Sequence, residues 1–150
     1  MDSGVLRAVW FHDDLDSGSM ARLYEELLSF NDSSDPVNLF IDSFGGDVTQ
    51  VVTYYEFVRA LQFPIRAIAM HECESAAVDM FMFSGSERLT LPSTRFLLHA
   101  PQYCSESSES VPRLKSTLTR FEDYYSRVEE LERAAVCGKL AVEDWARFRK

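Results

Sequence analysis

The sequence predicts a single α/β domain built from repeated β-α-β units, with a mostly parallel sheet flanked by helices. Three observations carry that prediction. Short apolar, β-branched or aromatic runs alternate with amphipathic helical stripes over residues 5–98, the order that produces parallel strands covered on both faces. A length of 150 residues matches one ordinary domain and can bury one core. Hydrophobic residues make up 46% of the chain against only six glycines and five prolines, which excludes a disordered polymer.

Residues 5–11 read as the first buried strand. Met20, Leu23, Tyr24, Leu27 and Leu28 then repeat at helical spacing, with Ser17 or Ser19 as the expected cap. Residues 31–36 hold polar turn formers and Pro36. A second strand covers residues 37–41 and runs into Gly45-Gly46. Asp47 and Gln50 follow at capping-box spacing, and Val51, Tyr54, Tyr55, Val58 and Leu61 form the next stripe. Pro64 ends that helix. Residues 65–70 make a third strand, 71–74 a polar interruption, and 75–83 a short buried helix closed by Ser84-Gly85. Two brief strands, 89–91 and 96–98, flank Pro92.

Beyond Pro101 the character changes. Residues 104–110 form a polar, acidic, low-complexity loop, and a long helix starts at Pro112. Its stripe of Leu114, Leu118, Phe121, Tyr125, Val128 and Leu131 steps by four and three, a narrow seam suited to a partner chain or a neighbouring domain, and Gly138 closes it. Residues 141–148 read as a last short helix. The organisation expected is one domain over 1–150: core βα units over 1–103, a loop and long helix over 104–138, and a terminal helix over 139–150.

Fifteen basic against 24 acidic residues give a net charge of −9, which disfavours nucleic acid and anionic membrane surfaces as partners. The acidic start and the absence of an apolar run near the ~20 residues of a bilayer span lead to the expectation of a cytoplasmic chain without a leader or anchor. Cys73, Cys104 and Cys137 are odd in number and widely spaced, so reduced thiols are expected, with no disulfide framework and no zinc ribbon.

Three features at strand ends could carry chemistry. Gly45-Gly46 lies between a strand and a helix N-terminus; alone it reads as a plain turn, and with neither GxGxxG nor a P-loop lysine it is a poor phosphate cradle. The further option there is an oxyanion hole. Ser75 follows the third strand and opens a helix, the position of an exposed nucleophile, although a serine there also reads as a helix cap. His99 closes the last strand, where a lone histidine is more often structural. Together they form a candidate set of nucleophile, base and oxyanion donors. His71-Glu72-Cys73 lacks the second histidine of HExxH, so no metal and no cofactor are expected. His12, among Asp13, Asp14 and Asp16, reads as a surface histidine.

From about Arg7 to Gln102 the chain resembles the Clp proteolytic subunit, the ClpP-like serine peptidase of ATP-dependent Clp proteases. The family's Asn-Ser-Pro-Gly-Gly loop is similar to Asp42-Ser43-Phe44-Gly45-Gly46, and its nucleophile segment Met-Gly-Gln-Ala-Ala-Ser to Met70-His71-Glu72-Cys73-Glu74-Ser75. Its Leu-Pro-Asn-Ser-Arg stretch leading to the base is similar to Leu91-Pro92-Ser93-Thr94-Arg95, followed by His99. The resemblance implies a crotonase-like fold with a long handle-type helix near 114–131. It implies a homo-oligomer, in the family a heptameric ring, with peptide or unfolded protein as substrate and an AAA+ unfoldase as partner. It also implies Ser75 as nucleophile, His99 as general base, and the N–H groups of Gly46 and Ala76 as the oxyanion hole.

The departures are specific. The family's third triad member, an aspartate, has no counterpart up to Lys150, so no acid is carried over. Glu72 and Glu74 replace uncharged residues before the nucleophile. Either could stand in for that acid or repel an oxyanion, depending on where it points. Glu106 and Glu109 replace the handle glycines and would repel their own copies across a two-fold contact. Few residues precede the first strand, which implies a missing axial loop and weakened coupling to an unfoldase. Three functions follow: a serine endopeptidase, a weakened or inactive ring subunit of structural or regulatory role, and an acyl-CoA enzyme of crotonase-like fold. The net charge of −9 opposes the last, because CoA is polyanionic.

Overall fold

The computed structural model describes residues 7–85, 87–99 and 111–136. The expected loop at 104–110, Glu106 and Glu109, the close at Gly138, the last helix, Cys104 and Cys137 lie outside them. Nine elements follow in chain order: β1 (Ala8–Phe11), α1 (Ser17–Leu28), β2 (Val37–Ser43), α2 (Val48–Ala60), β3 (Ile65–Glu74), α3 (Ala76–Phe83), β4 (Glu87–Thr90), β5 (Arg95–Leu97) and α4 (Val111–Val136).

The sheet runs β1-β2-β3-β4, with β5 pairing β3 farther along the same edge, and every pairing is parallel. This is the α/β architecture the alternation predicts. Along β1, β2 and the first half of β3 burial alternates residue by residue, as the two-residue period of a strand requires. Val9, Phe11, Val37, Leu39, Ile41, Ile65, Ala67 and Ala69 face inward and join Met20, Leu23 and Leu27 of α1, Val51 and Tyr54 of α2, and Met80 of α3 in one core.

The opposite face departs from the expectation of a sheet covered on both sides. Register aligns Trp10, Phe40, Ile68 and Leu89 across four strands on that face. Trp10 is 60% exposed and stacks on Phe40 at 4.3 Å, and Leu89 is exposed as well. Apolar composition made these strands read as buried on both sides, yet among the described residues Trp10 and Leu89 are exposed and Phe40 and Ile68 only half-buried.

Three local expectations are corrected. The cap of α1 is Asp16, not Ser17 or Ser19: its carboxylate accepts the N–H groups of Gly18 at 2.7 Å and Ser19 at 2.8 Å, while Ser19 Oγ accepts the Asp16 N–H in return. At α2, Asp47 caps as expected, but through the N–H of Thr49, and the Gln50 N–H goes to the Asp47 main-chain oxygen. Residues 71–74 are not an interruption, because β3 continues through them to Glu74. On α4, Val128 and Leu131 are buried and the helix packs on α2 and α3, so this end of its stripe meets the chain's own core.

The core also holds a polar lock. Tyr54 and Ser84 are fully buried, and Ser84 Oγ donates to the Met80 carbonyl at 2.7 Å. Its proton being spent there, Tyr54 donates to Ser84 Oγ at 2.5 Å and ties α2 to the end of α3. Burial drives the Tyr54 pKa upward, so the phenol stays a neutral donor. Replacing Tyr54 by phenylalanine is expected to cost about 1 kcal/mol in urea unfolding of the full chain, since Ser84 keeps Met80. A second prediction concerns Asp16, whose carboxyl is held below its ordinary value by the Ser19 and Gly18 amides. The stability it adds is full above its unfolded value near pH 4 and is lost as pH falls through the lower folded value. The gap in unfolding midpoint between the native chain and Asp16→Ala should therefore close on acidification.

Candidate active site

The carboxyl ends of β2, β3 and β5 lie side by side, because β3 pairs with β2 on one edge and with β5 on the other. Each delivers one candidate feature: Gly45-Gly46 after β2, Ser75 after β3, and His99 two residues beyond Leu97 at the end of β5.

Ser75 has φ 52° and ψ −128°, and among the described residues it is the one non-glycine residue with positive φ. A β-carbon in that region is strained, which a structure tolerates only where its surroundings fix it. Here the Ser75 N–H donates to the Leu97 carbonyl at 2.7 Å, and the Ser75 carbonyl accepts the Val78 N–H at 3.0 Å. The side chain makes no cap hydrogen bond to α3. The bland reading of Ser75 as a helix cap therefore does not describe its hydroxyl. The backbone turns sharply at Ser75 between the end of β3 and the start of α3.

Gly45 abuts this turn. A β-carbon built on it would lie 2.7 Å from Ser75 Cβ, 2.7 Å from the Glu74 oxygen and 3.0 Å from the Ala76 nitrogen, and its φ is 101°. Only glycine fits there, for want of both space and conformational freedom. The loop is fixed from its far side. Leu15 N–H donates to the Gly45 carbonyl at 2.7 Å, Asp47 N–H donates to the Leu15 carbonyl at 2.8 Å, and Ser43 Oγ donates to the Asp13 carbonyl at 2.6 Å. Ser43 Oγ also accepts the Gly45 N–H at 3.1 Å. The bridge to Leu15 uses the groups on either side of Gly46, so the Gly46 N–H itself is turned from Leu15, as alternate peptide groups in an extended segment are. The structure thus brings Gly45, Ser75 and Ala76 into contact, with Gly46 in the same loop. Sequence reasoning singled out the glycine pair and gave the donor role to Gly46; the close approach of Gly45 is announced by no residue pattern.

His99 is exposed at the end of β5. The Glu72 side chain is only 12% exposed, and its Oε1 meets Arg95 of β5 at 3.3 Å and His71 of β3 at 3.2 Å. His12 is exposed and contacts Asp42 at 3.1 Å, not its chain neighbours. Among the described residues no cluster of His, Cys, Asp and Glu could hold a metal ion, and no helix is long and apolar enough to cross a membrane.

A model of the Clp protease family matches residues 5–133. The ATP-dependent Clp protease proteolytic subunit of Pleurastrum terricola is 33% identical over 86 residues, 55% of this chain and 43% of that protein. The subunit of the same name from Paracoccus denitrificans is 34% identical over 71 residues, 47% of this chain and 36% of that protein. The chain thus covers less than half the length of these relatives. A solved structure of a ClpP1 mutant from Listeria monocytogenes superposes with a TM-score of 0.80 at 18% identity, over 97% of this chain and 80% of that one, which establishes the shared fold.

Cys73, two residues before Ser75, is fully buried, and its thiol lies 3.5 Å from the Ala77 carbonyl. Its pKa is pushed up to about 12, first by burial and then by the carboxylates of Asp79, Asp42 and Glu74. A thiol so placed stays protonated at neutral pH and is a poor nucleophile. In a chain carrying Cys104→Ser and Cys137→Ser, titration with a disulfide reagent at pH 8 should find no reactive thiol in the native state. One should appear after unfolding in guanidinium.

Proposed function

The chain belongs to the Clp protease family, and from that premise we propose that it is a serine-type endopeptidase with Ser75 as its nucleophile. The single observation that carries this reading is the strained Ser75 backbone, which leaves the hydroxyl out of the helix cap and beside the Gly45-Gly46 loop. His99 is the general base. It takes the Ser75 proton as Oγ attacks the scissile carbonyl, and the N–H groups of Gly46 and Ala76 hold the oxyanion. Collapse of the tetrahedral intermediate transfers the proton from His99 to the leaving amine and yields an acyl-enzyme. Water, deprotonated by His99, then releases the acid and regenerates Ser75. The reaction needs no metal or cofactor.

The substrate class is peptide or unfolded polypeptide, and the active form is a homo-oligomeric ring. The uncovered row of Trp10, Phe40, Ile68 and Leu89 supports burial of this face against another chain. A second reading, a ring subunit without turnover, draws on Glu72: this acid is engaged by Arg95 and His71, which leaves it a poor orienting carboxylate for His99.

A fluorophosphonate probe should label the full chain, Ser75→Ala should abolish labelling, and His99→Ala should slow it by about 10²- to 10⁴-fold. Light scattering should report a defined oligomer in the native chain and in both variants. Equal labelling of Ser75→Ala would remove the mechanism; a defined oligomer with no label at all would select the second reading.

A further inference from the structure

The ladder between β2 and β3 is regular from Val37↔Ile65 to Ile41↔Ala69 and then shifts, the next pair being Ser43↔Cys73. One residue of β2, Asp42, therefore faces three of β3, Met70, His71 and Glu72. The other edge of β3 is irregular at the same level. Its pairing with β4 ends at Ala69↔Thr90, and pairing with β5 begins at Glu72↔Arg95. A bulge here leaves backbone groups that the ladders do not satisfy, and in a half-buried strand these need partners.

Two side chains supply them. Asp42 Oδ1 accepts the Glu72 N–H at 2.8 Å, the bond that a regular β2 backbone would have made. From the opposite edge, Thr94 Oγ1 lies 2.9 Å from the Ala69 carbonyl and 2.6 Å from the Met70 carbonyl, and it accepts the Leu91 N–H at 2.9 Å. With a single proton, the hydroxyl donates to one of those carbonyls at a time. The free end of Asp42 is met by His12 at 3.1 Å. Beyond the clamp the strand re-pairs at once: Cys73 with both Ser43 and Phe96, Glu74 with Leu97, and then Ser75 N–H with the Leu97 carbonyl.

We infer that Asp42 and Thr94 are positioning residues, which hold the β3 bulge at its present length and so set Ser75 against the Gly45-Gly46 loop. The inference rests on the reading of Ser75 as the nucleophile. Its physical basis is register. The number of residues taken up between Ala69 and Cys73 fixes which face Ser75 presents, and a slip of one would turn it to the other face of the sheet. Smaller relaxation of the bulge would move the hydroxyl by a fraction of that step, and a displacement near 1 Å is enough to cost ~10²-fold in rate.

The test compares paired substitutions in the full chain, read by saturation kinetics of fluorophosphonate labelling. Asp42→Leu and Thr94→Val remove the acceptor and the hydroxyl at similar volume; Asp42→Asn and Thr94→Ser keep them. Asp42→Leu and Thr94→Val should lower the maximal labelling rate by about 10- to 100-fold with the half-saturating probe concentration little changed. Asp42→Asn and Thr94→Ser should restore most of the rate. Should Asp42→Leu fail to fold by circular dichroism, Thr94→Val and the two conservative variants decide the matter. Wild-type maximal rates in folded Asp42→Leu and Thr94→Val would overturn the clamp alone, as would conservative variants as slow as their counterparts. Label that survives Ser75→Ala, or a native chain that takes none, would overturn the nucleophile reading and the clamp with it.

Discussion

The structure depends on β3 having to satisfy two edges at once. Its first half pairs β2 on one side and β4 on the other, and its second half pairs β2 again and β5. Between the halves both neighbours change register. On the β4–β5 side the cause is local: the turn at residues 91–94 contains Pro92, which has no N–H to give a ladder. The excess length is absorbed by Met70, His71 and Glu72, and the strand emerges re-registered for its last residues before Ser75. The catalytic candidate is thus placed by pairing on both sides of the strand, which fixes it more tightly than a surface loop would.

Strand and helix order was legible because apolar residues recur at the periods that backbone geometry imposes, and the core residues of β2, β3 and α1 came from that pattern directly. What polarity obscured was continuity. His71, Glu72 and Glu74 read as a break, yet the strand runs on through a bulge at which His71 is exposed, and Cys73 beyond it is fully buried again. The cap of α1 was ambiguous for another reason. Asp16, Ser17 and Ser19 all offer acceptors, and the choice falls on Asp16 because its backbone is still extended, at φ −127° and ψ 174°. The positions of Ser75, His99 and the glycine pair were readable from strand ends. The close approach of Gly45 and the clamp at Asp42 and Thr94 were not, since they depend on which residues face one another across strands distant in sequence.

Glu72 and Glu74 raised the prospect of acid opposing an oxyanion, and local pairing changes that picture for Glu72. Asp13 meets Arg22 at 2.6 Å, Asp42 meets His12 and the Glu72 amide, and Glu72 meets Arg95 and His71. These pairs are partly exposed and add little stability each. Their effect is directional: they draw the carboxylates of Asp42 and Glu72 toward the flanks of the bulge. An oxyanion forming near the Gly45-Gly46 loop would then feel less opposing field than the acid count of this region implies.

Ser75 joins these threads. A serine between strand and helix would ordinarily relax into cap geometry, bonding the first amides of the helix. It does not, and the strained torsion costs on the order of 1–3 kcal/mol. That cost is offset by bonds that exist only when β5 and the glycine loop are in place: the Leu97 carbonyl holds the Ser75 amide, and Gly45 leaves room for its β-carbon. A capping serine would also consume the donors at the start of α3. With its side chain outside the cap, Ser75 and the Ala76 nitrogen stand against the glycine loop, 2.7 Å and 3.0 Å from where a β-carbon on Gly45 would lie. The strained torsion is therefore maintained by the sheet and the glycine loop together, not by the helix it opens.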